Sequence, residues 1–317
     1  MSVDAIGLVG SLVGIWQFAD TLLPSHHIDA STYSIRAGVD KTAGDNGEKL
    51  SNAGGGIDLI KTYNSNDELI GSGGTGYVTS GGRVDFTTEQ TNTQQSITTE
   101  FYATHDALCI AYITATMEDG TQWGWTGDWG FTCGLNWYPS GTFLQNSRND
   151  STASPRCTWI DGDHTNGIKA AVIAIKWPDF FGSAGDDLAD GCGSSLRAWD
   201  EPGGTQILSP SGVAAPRLGR RQSQRSDDRL IVSHFPSHSA IEVCESETSW
   251  GPDFVSMAEG LYCNMETHEV LPLCGNNLTK DCFEINGTVG AATIAATGLK
   301  KTMKPTRVVE WNWEAEA

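Results

Sequence analysis

Between residues 31 and 200 the chain alternates apolar and polar positions in short runs. "GGRVDFTTEQ" (81–90) and "QQSITTEFYAT" (94–104) repeat with period two and are rich in threonine, the pattern of half-buried strands. "ALCIAYITATMEDGTQWGWTGDWG" (107–130) reads as two strands about Asp119-Gly120, a dipeptide suited to the positive φ angles of a tight hairpin, with Trp123 and Trp125 on one face. "CTWI" (157–160) and "GIKAAVIAIKW" (167–177) flank a polar loop, and the second run is apolar enough for a strand buried on both faces. Short strands separated by turn signals predict a mainly β protein, an antiparallel β-sandwich or jelly roll over residues 31–203.

Elsewhere the pattern changes. Residues 1–30 hold an apolar leader, "AIGLVGSLVGIWQFA" (5–19), of signal-peptide length but preceded by the acidic "MSVD". It reads as an atypical secretion signal or as a buried or membrane-associated helix. Residues 204–230 are proline-, glycine- and serine-rich and basic, an exposed linker in which Arg220-Arg221 offers a dibasic processing site. Residues 231–317 form a small cysteine-rich region. Within it "SHSAIEVCESETSWGPDFVSMAEGLYC" (237–263) reads as helical in pieces, capped by Ser237 or Ser239 and broken at Pro252. The tail "TRVVEWNWEAEA" (306–317) alternates like a last strand, Val308, Glu310 and Asn312 against Val309, Trp311 and Trp313.

Composition sharpens this picture. The net charge of −19 would repel a phosphate backbone, which argues against nucleic acid as a partner. Eight cysteines fall four and four on either side of the linker, and no CxxC pair exists, so disulfides in two separately stapled regions are expected rather than zinc. Sequons at Asn149, Asn277 and Asn286 agree with an extracellular, glycosylated protein.

The stretches "ALCIAYITATMEDGTQWGWTGDWGFTCGLNWYPS" (107–140), "CTWIDGDHTNG" (157–167) and "CESETSWGPDFVSMAEGLYCNMETHEVLPLC" (244–274) resemble a group of secreted, cysteine-bearing proteins of filamentous ascomycete fungi with no assigned activity. The resemblance covers roughly residues 48–180 and 230–275. It implies secretion, disulfides and a fungal origin, and it carries over no catalytic residue.

Several motifs invite chemistry. In "DGDHTNG" (161–167), Asp161, Asp163 and Thr165 fit the first three ligand positions of a calcium loop. Asn166 stands where the obligatory glycine belongs and Val172 where the bidentate glutamate does, so an EF-hand is excluded. A looser calcium site could use Asp161, Asp163 and Asn166 with Asp186, Asp187 or Asp190. The alternative is an Asx-rich hairpin turn, with Asn166-Gly167 at positive φ and the carboxylates capping amides. His164 beside these acids is a candidate general base, against a solvated surface histidine. His234 and His238 lack the zincin context, and "GSGGTG" (71–76) lacks the following helix of a dinucleotide site.

The densest feature is aromatic: Trp123, Trp125, Trp129, Trp137 and Tyr138. Buried, they are core; exposed, they would form a platform for stacking sugar rings. The expected function is accordingly a secreted, non-enzymatic binding protein with a cell-surface or host glycan as ligand. Alternatives are a polysaccharide hydrolase or lyase using Asp161, Asp163 and His164, or a processed effector cut at Arg220-Arg221.

Overall fold

The computed structural model describes residues 30–39, 53–146, 151–180, 191–208, 229–275, 278, 281–285, 292–294 and 307–311. The leader up to residue 29, the sequons Asn149, Asn277 and Asn286, the acids Asp186, Asp187 and Asp190, and Arg220-Arg221 lie outside the described residues. The chain divides into two compact units, Met1–Val39 with Leu50–Arg220, and Asp40–Lys49 with Arg221–Ala317.

The strands of the first unit are β1 (Ala30–Ala37), β2 (Gly55–Tyr63), β3 (Leu69–Gly73), β4 (Gly76–Val78), β5 (Arg83–Gln90), β6 (Thr98–Ala103), β7 (Leu108–Thr116), β8 (Gln122–Thr126), β9 (Trp137–Pro139), β10 (Leu144–Asn146), β11 (Ser151–Ala153), β12 (Arg156–Ile160), β13 (Val172–Lys176) and β14 (Leu196–Trp199). A short helix, α1 (Asp128–Thr132), follows β8. Twelve strands make one antiparallel sheet in the order β14-β13-β6-β2-β3-β5-β1-β7-β12-β9, with β4 also on β2 and β8 also on β7. β10 and β11 pair separately.

The sheet curls over its own core. β1 and β6 have three strands between them in the sheet order. Yet the Tyr33 ring on β1 meets Phe101 on β6 edge-on at 5.5 Å and stacks on Trp177 at 6.0 Å. Alternation buries Tyr33, Ile35 and Ala37 on one side of β1, and in β2 a register shift between Ile57 and Leu59 lets Ile57 join Ile60 in the core. The Tyr33 hydroxyl accepts from Thr99 Oγ1 at 2.9 Å, and Trp177 Nε1 donates to that same Thr99 oxygen at 2.8 Å, so the large polar-tipped rings are satisfied inside the core.

Two disulfides cross this unit. Cys109–Cys157 joins neighbouring strands β7 and β12, and Cys133–Cys192 ties the end of α1 to the segment before β14. The turn after β7 differs from expectation in detail: Gly120 takes positive φ, at 80°, while Asp119 does not, and its Oδ1 accepts the Thr121 N–H at 2.9 Å. A glycine alone supplies the left-handed residue here, and the aspartate acts as a cap.

The second unit has β15 (Arg229–Ser233), α2 (Ala240–Glu245), β16 (Asp253–Ser256), β17 (Leu261–Asn264), β18 (Glu269–Pro272), β19 (Phe283–Ile285), β20 (Ala292–Ile294) and β21 (Arg307–Trp311). Its five-stranded sheet runs β18-β17-β16-β15-β21, with β15 parallel to both its neighbours. The helical reading of residues 237–263 is corrected. Only six residues coil, under an N-cap in which Ser239 Oγ accepts the Glu242 N–H at 3.1 Å. Beyond Pro252 the chain turns extended, because Phe254 and Val255 pair with β15 and bury there, and Gly260, at φ 66°, reverses it into β17. Cys244–Cys263 and Cys274–Cys282 staple this unit, and among the described residues no cysteine is free.

Candidate functional site

The tryptophan-rich stretch is core. Trp125 and Trp137 are fully buried, Trp129 and Tyr138 nearly so, and Trp123 packs half-buried on the same cluster. Of the two readings of Trp123, Trp125, Trp129, Trp137 and Tyr138, the chain takes the buried core and not the exposed platform for sugar rings. Two restraints hold the segment inward. One is the Cys133–Cys192 bridge. The other is the carboxylate of Asp128, whose Oδ1 accepts from Arg156 Nη1 at 3.0 Å and from the Arg156 backbone N–H at 3.2 Å. The Arg156 guanidinium then lies 4.1 Å over Phe131 and 5.4 Å over Trp137, so its charge is shared between an acid and two ring faces. Burial pushes the Asp128 carboxyl above its usual range, and Arg156 pulls it part of the way back.

The loop at 161–168 is a connection, not a hairpin. β12 pairs with β7 and β9 whereas β13 pairs with β6 and β14, so the loop carries the chain from one part of the sheet to another. Its acids hold its own shape. Asp161 is buried; its Oδ2 accepts from Thr165 Oγ1 at 2.7 Å and its Oδ1 from the Asp163 N–H at 3.4 Å. Asp163 is exposed and accepts the Thr165 N–H at 3.2 Å. The left-handed residues are His164 (φ 58°) and Gly167 (φ 75°) rather than Asn166 and Gly167, and His164 Nδ1 donates to the Ile168 carbonyl at 2.9 Å.

Desolvation pushes the Asp161 carboxyl up against the Thr165 hydrogen bond. At Asp163 a desolvation cost is outweighed by the Thr165 N–H, the Asp161 side chain and the positive field of His105, which hold it low. These carboxyls, offered by sequence as calcium ligands or an acid–base pair, are engaged in capping. Among the described residues no group of three or more His, Cys, Asp or Glu side chains is placed to hold a metal.

The remaining motifs resolve as structure. "GSGGTG" spans β3 and β4, extended backbone without a helix. His238 is buried, its Nδ1 bonded to Ser233 Oγ at 2.8 Å and its ring packed on Phe235 and Trp311.

No family model matches this chain, and no curated protein matches it. The site has to be read from the chain's own surface.

That surface has an aromatic face the sequence did not flag. It lies on the outer side of β2, β6, β13 and β14. Strand period two sends Ile60, Phe101, Ile173 and Ala198 into the core and turns their neighbours out. The registers align Leu59, Tyr102, Val172 and Trp199 in one row, and Lys61, Glu100, Ala174 and Arg197 in the next. Tyr102 and Val172 are buried, 9% and 2% exposed, in a small cluster against which half-buried Leu59 and Trp199 pack, and Tyr63 is half-buried too.

One carboxylate organises this face. Glu100 Oε2 accepts from Tyr63 Oη at 2.8 Å and from Tyr102 Oη at 2.6 Å. Burial and the Glu100 charge raise both phenols well above their ordinary value, so both stay protonated as donors across the physiological range. Lys61 Nζ sits 4.9 Å over the Tyr102 ring and the Arg197 guanidinium 5.4 Å over Trp199. Among the described residues neither cation forms an ion pair, while Arg83, Arg156 and Lys176 do. The free edge beyond β14 is covered in part by a bridge from Trp199 to Gln206.

These residues escaped sequence reading for a physical reason. Tyr63, Tyr102 and Trp199 come from three separate runs, and only strand pairing makes them neighbours. The available signal was the phase of each strand, which marks which residues face outward but not which strands adjoin.

Proposed function

We propose that this is a secreted binding protein whose first unit, a jelly-roll-like sandwich, presents the outer face around Tyr63, Tyr102 and Trp199 to a glycan. The observation that carries the reading is the grouping of half-buried Tyr63 and Trp199 about Tyr102 on a regular antiparallel sheet, with the two phenols held by Glu100. Indole and phenol faces stack on sugar rings, and rings already fixed by hydrogen bonds lose little freedom on binding. Secretion is supported by four disulfides with no free cysteine among the described residues, and by the signal-like leader. Among the described residues no helix is long and apolar enough to cross a membrane.

The test is a glycan array probed with the wild-type chain and with Trp199→Ala and Tyr63→Ala. Binding that both substitutions weaken at least tenfold supports the reading. Absence of binding to every glycan, or binding indifferent to both changes, would sink it.

A further inference from the structure

The two cations on this face specify what kind of sugar it takes. The chain carries 39 acidic and 20 basic residues, so a lysine or arginine on a strand has an abundance of carboxylates to pair with. Lys61 stands directly opposite Glu100 in the β2–β6 register, the position where a cross-strand ion pair would form. It does not form: Glu100 Oε2 takes the two phenols, and the ammonium rests over Tyr102. Arg197, two strands further on, rests over Trp199 in the same way. Both cations thus hover above the aromatic row with their donors uncommitted to any acid among the described residues.

Resting on the glycan reading above, we propose that this face binds an acidic oligosaccharide, one whose rings carry single carboxylates. The half-buried rings of Tyr63 and Trp199 provide apolar contact, the Arg197 fork suits a carboxylate bidentately, and Lys61 supplies a point charge. The two cations stand over strands separated by two strand spacings, about 10 Å. That span exceeds one sugar ring, so the ligand is an oligomer. The protein's charge of −19 bears on density as well as sign. Screening over roughly 8 Å at physiological salt confines each cation's pull to its own neighbourhood, so the two cations suit single carboxylates spaced along a chain, while a densely sulfated chain sets its surplus charges against the acidic surface around them.

The experiment is calorimetric titration of the full chain with hexagalacturonate, with its fully methyl-esterified form, which has the same rings without charge, and with dextran sulfate. The acid is expected to bind at least tenfold tighter than the ester, and dextran sulfate weakest. In Lys61→Gln/Arg197→Gln the acid-to-ester affinity ratio collapses toward one, whereas Trp199→Ala weakens acid and ester alike. Thermal melts of each variant verify folding; should the double variant not fold, Arg197→Gln alone is read. Equal binding of acid and ester by wild type, or a ratio unmoved by the cation variants, overturns the charge inference and leaves the glycan reading standing. Dextran sulfate binding as tightly as the uronate overturns the choice of a sparse carboxylate. Binding of none of the three, together with a blank glycan array, overturns both.

Discussion

Replacing Asp128 with asparagine removes one charge from a side chain that is 2% exposed, while keeping its shape and an oxygen for the Arg156 donors. In the wild type, burial raises this carboxyl above its ordinary value against the pull of Arg156. The folded chain therefore holds the proton more tightly than the unfolded one. The stability this group contributes is fully present below the ordinary aspartate pKa of about 4 and is lost as pH rises through the higher folded value. One proton sets the ceiling on the slope, about 1.4 kcal/mol per pH unit. Asp161, also raised, slopes the same way, and Asp163, lowered, opposes it, but both are present in wild type and variant and cancel in the difference.

Asparagine also leaves Arg156 without its counter-charge. The protonated wild type in acid lacks that counter-charge too, so wild type and variant differ little there, and in both the Arg156 side chain rests on its 19% exposure and two ring faces. The assay is urea unfolding of both proteins at intervals from pH 4 to pH 8. The stability of wild type minus that of the variant should be highest in acid, where Asp128 is protonated, and fall as pH rises through its folded pKa, then level off. A difference that stays constant across the range, or grows with pH, refutes the account of Asp128 as a desolvated acid.

Two further outcomes follow from the packing. Cys109–Cys157 closes a separation of 48 residues, and in the chain-entropy view its loss in Cys109→Ala/Cys157→Ala costs about 4 kcal/mol. At 2–4 °C per kcal/mol for a unit of this size, calorimetry should record a fall in Tm of roughly 8–16 °C, and one below about 2 °C would contradict the estimate. Gly130 lies in α1 against β12, where an added Cβ would stand 2.6 Å from Thr158 Cγ2. Gly130→Ala should cost about 1–3 kcal/mol by denaturant titration, and Gly130→Ala/Thr158→Ala should recover part of that loss if the clash is the cause.

What sequence could read here was whatever depends on near neighbours. Period-two alternation marked the strands around 83–90, 98–103 and 108–116, the apolar run marked β13 as buried on both faces, and Ser239 marked the cap of α2. An even cysteine count split by a linker marked two bridges in each unit. What it could not read depends on which strands adjoin. "DGDHTNG" has the composition of a hairpin turn, yet β12 and β13 belong to different parts of the sheet. The tryptophans of 123–137 are dense along the chain, and density alone does not distinguish an outward platform from a core pinned by Asp128–Arg156. Conversely, the aromatic face at Tyr63, Tyr102 and Trp199 is sparse along the chain and dense in space.

The arrangement of β15 bears on how the second unit comes to be made. All five residues of this strand are buried, and its parallel neighbours are β16, close by in sequence, and β21 at residues 307–311. A parallel partner that distant is reached late, both because the intervening chain must be synthesised first and because loop closure delays non-local pairing. Until Arg307–Trp311 arrives, one edge of "RLIVS" stands open with its amides and carbonyls unpaired, a template for pairing with another chain. The second unit is therefore closed only once β21 pairs, so its completion is set at that strand rather than at its core.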